Sequence, residues 1–201
     1  QTLLYTGNGS ARSLTNTGNS DLQPDWVWIK ERDNAVSHRV FDSTRGAGKR
    51  IFPNNTDAES THTPAVTSFN SDGFSVGDGT SVNENGDLYV AFQWKAGGGS
   101  RTTFTESGDN PGGGYQANTT AGFSIVDFVG TGANGTVQHG LGVAPRWYIV
   151  QNRDRSTNWQ VYHEDNGNTH YIKLNTTGAK LDNHEIFNDT SPTSSVFSVG
   201  I

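Results

Sequence analysis

Six histidines and twenty acidic side chains are the residues of this chain that could hold a metal or move a proton. His38, His62, His139, His163, His170 and His184 include no pair spaced i, i+4 around a glutamate, so the zinc-protease arrangement is absent. His163-Glu164-Asp165 and Asp182-Asn183-His184-Glu185 set ligand types side by side. Polar loops carry such groups without metal, and no metal site is expected. Residues 72–87 are rich in the oxygen donors of a calcium loop. They lack the regular Asp spacing and closing Glu, so turn chemistry accounts for them. No G-x-S-x-G elbow occurs to expose a nucleophilic serine. Glycoside hydrolysis needs two carboxylates about 5 to 9.5 Å apart in a cleft. Here the acids are scattered through polar turns, with few beside apolar runs. No catalytic residue and no cofactor is expected, and the chain reads as a protein other than an enzyme.

Sugar binding needs less: an aromatic ring among polar loop residues. Trp159, in Ser156-Thr157-Asn158-Trp159-Gln160, has that setting, with His163 and Tyr171 near in sequence, and these three form the candidate glycan-binding set. The alternation of Trp159, Val161 and His163 against Gln160 and Tyr162 equally fits an inward-facing strand, so both readings stand. The Asn-x-Ser/Thr triplets at Asn54, Asn118 and Asn175 follow from composition and need carry no glycan.

The elements that must position such residues are strands. Of 201 residues only 31% are hydrophobic and 17% charged, the rest being mostly Gly, Asn, Ser and Thr. The five Trp, ten Phe and six Tyr lie inside short Val/Ile/Thr-rich runs, which separates the chain from a disordered one. Many short strands joined by polar turns, an all-β fold, is the expectation, and no segment has helical periodicity. The net charge of −6 argues against a nucleic-acid partner. The one basic stretch, residues 45–50, is short and Gly-interrupted and reads as a solvated loop. With no Cys there is neither a disulfide framework nor a thiolate site. The absence of Met, initiator included, is expected of a processed product or a piece of a longer chain. No apolar run reaches the roughly 18 residues of a membrane span, so no membrane insertion is expected.

The strongest signal is an internal repeat. Pro24-Asp25-Trp26-Val27-Trp28-Ile29-Lys30-Glu31-Arg32-Asp33, then Val40-Phe41-Asp42, is answered at the same spacing by Pro145-Arg146-Trp147-Tyr148-Ile149-Val150-Gln151-Asn152-Arg153-Asp154, then Val161-Tyr162-His163. Tyr5-Thr6-Gly7-Asn8-Gly9 answers Phe128-Val129-Gly130-Thr131-Gly132, and Phe74-Ser75-Val76-Gly77 answers Phe197-Ser198-Val199-Gly200. The continuous apolar runs beginning at Trp26 and Trp147 suit strands buried on both faces. The glycines suit positive φ in a bulge or tight turn. The Arg-Asp pair after each run suits a strand-end salt bridge or turn cap. Asp72-Gly73 and Asn85-Gly86 are hairpin-turn dipeptides. The run after them puts Leu88, Val90, Phe92 and Trp94 on one face and Tyr89, Ala91 and Gln93 on the other. It reads as the domain's closing strand, and the second copy reaches Ile201 before any counterpart. The expectation is therefore repeat one at 1–97, a Gly-rich linker at 98–118, and a second repeat at 119–201 that lacks its C-terminal strand. More chain, or a neighbouring subunit, would supply it.

Taken together, P-x-W-x-W-I-K-x-R-D, F-D-S-x-R-G at residues 41–46, S-D-G-F-S-V-G at 71–77 and V-N-x-N-G-x-x-Y-V-A-F-x-W at 82–94 resemble a repeated module of tail-fibre and other appendage proteins of tailed bacteriophages, particularly marine ones. The second half is similar through residues 119–126, 139–142 and 190–200, but Arg45-Gly46 becomes Asn166-Gly167. The resemblance implies two tandem antiparallel β-sandwiches of lectin-like jelly-roll type in a virion or extracellular appendage. It further implies a homo-oligomer, often a trimer, that contacts the host through a bacterial surface glycan, and it supplies no catalytic residues. A carbohydrate-binding module of a secreted bacterial enzyme or adhesin, and a fragment of a polysaccharide depolymerase spike, are the alternatives.

Overall fold

The structure is a computed structural model that describes residues 1–18 and 21–201. Its regular structure is nearly all strand, arranged in several antiparallel sheets, with helix only in single turns. Two compact units result, one of Gln1–Gly99 with Arg153–Ser156, the other of Ser100–Asn152 with Thr157–Ile201.

In unit 1 the strands are β1 (Thr2–Thr6), β2 (Arg12–Leu14), β3 (Trp26–Glu31), β4 (Arg39–Asp42), β5 (Lys49–Arg50), β6 (Ser60–Thr61), β7 (Val66–Phe69), β8 (Phe74–Val76) and β9 (Leu88–Trp94), with one helical turn, α1 (Thr80–Asn83). A four-stranded sheet has the order β1-β9-β3-β4, and β2-β8-β7 form a second sheet. Leu3, Val27, Ile29, Phe41, Tyr89 and Ala91 from the first meet Leu14, Val66, Phe74 and Val76 from the second in one core. β9 does not close the unit at an edge, as its position in the chain suggests. It is a central strand, antiparallel to β1 on one side and to β3 on the other. The Asn85-Gly86 turn that feeds it has Gly86 at φ 95° but closes no hairpin, because it joins α1 to β9 while β8 pairs with β2 and β7. Gly9 has the expected positive φ, but Gly7 does not. Gly7 is required by closeness instead, since a Cβ there would stand 1.9 Å from the Glu84 carbonyl oxygen.

Unit 2 contains β10 (Thr102–Phe104), β11 (Gly113–Asn118), β12 (Phe123–Phe128), β13 (Gly135–Gln138), β14 (Trp147–Val150), β15 (Gln160–His163), β16 (His170–Lys173), β17 (Leu181–Asp182), a helical turn α2 (His184–Phe187) and β18 (Val196–Val199). Its sheets are β10-β11-β12, β13-β18 and β14-β15-β16-β17. The stretch 98–118 thus carries two hydrogen-bonded strands. The duplication read from sequence reappears as register. Val27 stands opposite Phe41 in β3/β4, and Tyr148 stands opposite Tyr162 in β14/β15. Leu14 faces Phe74 in β2/β8 as Val137 faces Phe197 in β13/β18.

The basic stretch at residues 45–50 is not the solvated loop expected. Arg45 has a side chain only 6% exposed, and its Nε donates to the Asp42 carboxylate, itself 2% exposed. Its other nitrogens donate to Glu59 and to the carbonyls of Val40 and Lys49. A guanidinium can be buried only when its fork of donors is satisfied, and the Phe41-Asp42-Ser43-Thr44-Arg45-Gly46 motif is the local device that does so. Burial works against the Glu59 carboxylate, but hydrogen bonds from Arg153 and Arg45 prevail and hold it below the usual carboxylate range.

Candidate functional site

Trp159, His163 and Tyr171 do not assemble a surface. Trp159 is 2% exposed, and Tyr171 is buried in a cluster with Tyr162 and Phe187. A ring enclosed on both faces offers a sugar nothing to stack on. His163 is half-exposed, and its Nδ1 accepts the Asp165 N–H at the start of a short helical turn. Trp159 is thus interior, but not by the alternation expected, since it precedes β15, in which Val161 and Tyr162 are both buried and His163 is half-exposed. Among the described residues no three His, Asp or Glu side chains converge as metal ligands would.

The exposed rings lie elsewhere, on the outer face of β1-β9-β3. Alternation along β9 sends Tyr89, Ala91 and Gln93 into unit 1, where all three are buried. Leu88, Phe92 and Trp94 consequently point out, at 38%, 39% and 41% exposure. Cross-strand register makes rows of them: Phe92 lies between Thr2 and Trp28, and Trp94 lies beside Trp26. Leu4, 61% exposed, stands opposite Val90, with Lys30 on Val90's other side. Four large rings on the two adjacent strands β3 and β9 therefore share one face, with Leu4 of β1 beside them, since cross-strand neighbours lie about 5 Å apart on the same side. Exposed apolar patches of this kind are a recurrent feature of contact surfaces.

Two features fix the geometry of this face. The Trp28 indole N–H donates to His38 Nδ1 at 3.1 Å, with the rings tilted at 53°. That bond requires Nδ1 unprotonated. Burial, and then the charges of Lys30 and Arg39, hold the His38 pKa below its usual value and so favour the neutral form. At the far end Asp25, completely buried, accepts from the Ser43 hydroxyl at 2.8 Å and from the N–H groups of Ala96, Gly98 and Gly99 at 2.8, 2.8 and 3.0 Å. The Pro24-Asp25-Trp26 motif thereby ties the chain after Trp94 back to the start of β3. Asp33, of the first Arg-Asp pair, accepts the Leu88 N–H and caps the strand end.

Sequence reading missed this face although its signal was present. The segment from Leu88 to Trp94 is apolar on both faces, which a strand with one solvated face does not need. A central strand with large rings on its solvent side was the structural explanation.

The chain belongs to the family described as a domain of unknown function (DUF7483), which matches residues 1–201. No curated protein and no solved structure matches it.

Proposed function

We propose that the chain is a non-catalytic segment of a virion or extracellular appendage, two β-sandwich units in tandem, and that the outer face of β1-β9-β3 holds a bacterial surface glycan. The observation that carries this reading is the solvent-open pair of rows, Phe92 with Trp28 and Trp94 with Trp26. Pyranose rings present flat patches of C–H groups, and these stack on aromatic faces while neighbouring polar groups take the hydroxyls. Lys30 lies on the same face of β3 as Trp26 and Trp28 and brings an ammonium group beside the rings. Similarity of the motif string to phage appendage modules supports the setting. In an oligomeric fibre, several weak sites would multiply by effective concentration.

A second reading has one observation in its favour. Leu4 and Leu88 extend the rings with purely aliphatic surface, which suits burial against another copy of the chain. Binding of the purified chain to a panel of bacterial surface polysaccharides, with chain cleavage recorded and sedimentation run in parallel, separates the readings. Saturable binding without cleavage supports the glycan reading. Self-association that Phe92→Ala abolishes, with no glycan bound, supports the second and removes the first. Cleavage would point to the depolymerase alternative and overturn the non-catalytic role.

A further inference from the structure

We infer that unit 2 is a strand acceptor: the edges of β12 and β14 that correspond to those joined by β9 in unit 1 are built to take an extended polypeptide strand of β9's pattern, antiparallel to both.

In β1, Gln1 and Gly7 exchange backbone hydrogen bonds with the β9 strand and its turn, so the odd-numbered residues of β1 direct their N–H and C=O groups toward β9. Phe128 is the counterpart of Tyr5, because it meets Phe197 edge to face as Tyr5 meets Phe74, and Val137 follows it at the spacing at which Leu14 follows Tyr5. Ser124, Val126 and Phe128 must then direct their backbone groups toward the β9 side. The strand β12 does possess, β11, bonds the other parity: the Val129 N–H donates to Gly112. Hence β11 lies on the opposite side, and the β9 side carries no strand among the described residues.

The same holds for β14. Arg32 bonds to β9 through the Leu88 carbonyl, so alternate residues of β3 from Trp26 face β9, while Asp25 accepts from Ser43 on the other side. In unit 2 the Arg146 carbonyl accepts from Glu164 on the β15 side. Trp147 and Ile149 therefore face outward from a sheet whose terminal strand is β14. Phe197 touches both Phe128 and Tyr148, so the two edges flank one core residue.

Side chains record the same vacancy. Val27 and Ile29 of β3 are fully enclosed, whereas their counterparts Tyr148 and Val150 are only half-buried and Trp147 is 50% exposed. The buried Tyr148 hydroxyl has no hydrogen-bond partner. In unit 1 the two tyrosine hydroxyls of the same core, Tyr5 and Tyr89, donate to carbonyls of the α1 segment that leads into β9.

Register specifies the occupant. Tyr89 stands opposite Tyr5 and Glu31, and Ala91 opposite Leu3 and Ile29. A strand in the acceptor places the corresponding residues opposite Phe128 and Asn152, then Val126 and Val150. The second of these sites lies between two half-buried aliphatic side chains and takes a small apolar residue, as Ala91 does in unit 1. The ligand is thus a polypeptide strand with alternate inward apolar residues, bound by edge addition.

The test uses a synthetic peptide with the sequence of residues 85–95 and the intact chain. Saturable one-to-one binding is expected, with hydrogen exchange slowed about tenfold or more at Val126, Phe128 and Ile149. A peptide carrying Ala91→Pro, which removes one ladder N–H, should lose binding by about tenfold or more. Absence of saturable binding, protection confined to other residues, or equal binding of the proline peptide would each overturn the inference. None of these readouts depends on whether the aromatic face of unit 1 binds glycan.

Discussion

Phe128 meets Phe197 edge to face, with ring centroids 6.2 Å apart at 68°, and reproduces in unit 2 the contact of Tyr5 with Phe74 at 6.4 Å and 74°. The two contacts differ in what encloses them. Tyr5 is also stacked on Tyr89 of β9 at 5.1 Å, whereas Phe128 has Gly113 as its cross-strand neighbour in β11. Duplicated packing around an unduplicated strand is what makes the two units different objects.

Phe74→Ala should therefore cost more than Phe197→Ala. Phe74 is fully enclosed, and its loss leaves a cavity worth about 3–5 kcal/mol. Phe197 is also buried, but its neighbours Phe128 and Tyr148 are only half-buried, so its site can collapse more readily. Urea unfolding of each variant, followed by near-ultraviolet dichroism, checks the order.

Asp25→Ala should destabilise unit 1 by about 3 kcal/mol or more, because four donors lose a buried charged acceptor at once. Its counterpart Arg146 is largely exposed and ion-paired with Glu164 at the surface, so Arg146→Ala should leave stability nearly unchanged. Thermal unfolding of the two variants gives the comparison.

Arg45→Ala should cost about 3–5 kcal/mol by leaving the Asp42 carboxylate buried without its partner. In unit 2 the corresponding positions are His163, Asn166 and Lys180. All three members of the network are replaced together, the pattern expected when removing any one alone is costly. A double-mutant cycle of Asp42→Ala with Arg45→Ala should return a coupling of about 2 kcal/mol or more.

Acid should loosen both units through neutral histidines. His139 is buried, its Nδ1 accepts the Leu141 N–H, and its Nε2 meets the Thr193 carbonyl. Burial lowers its pKa more strongly than the Thr193 contact raises it, and burial with nearby cations does the same for His38. The unfolded chain then binds protons that the folded chain refuses. Stability is fully present above the ordinary histidine value of about 6.5 and declines as pH falls below it. Melting temperature measured from pH 7.5 to 5 should fall, and His139→Gln should flatten that dependence.

The all-β character and the repeat were legible because strand alternation and turn dipeptides are local signals. Gly73 and Gly86 adopt the positive φ their dipeptides require. The centrality of β9 was not legible, since which strands bracket Leu88–Trp94 is decided by pairings distant in sequence. For the same reason Arg45 read as solvated: Glu59, and the carbonyls of Val40 and Lys49, reach it only through the fold. Trp159 was chosen for its polar neighbours, yet the strand it precedes is covered on both faces, with Val161 and Tyr162 both buried.

The most direct test of the functional account is polysaccharide affinity of the Trp94→Ala variant beside the wild type, with Trp159→Phe as the control in the interior. Trp94 points to solvent, so its loss should leave the melting temperature within a few degrees while weakening binding about tenfold or more, a cost of about 1.4 kcal/mol or more. Trp159→Phe should leave affinity unchanged in whatever fraction stays folded. Unchanged affinity in Trp94→Ala, or a loss confined to Trp159→Phe, would contradict the account and return the glycan site to the second unit.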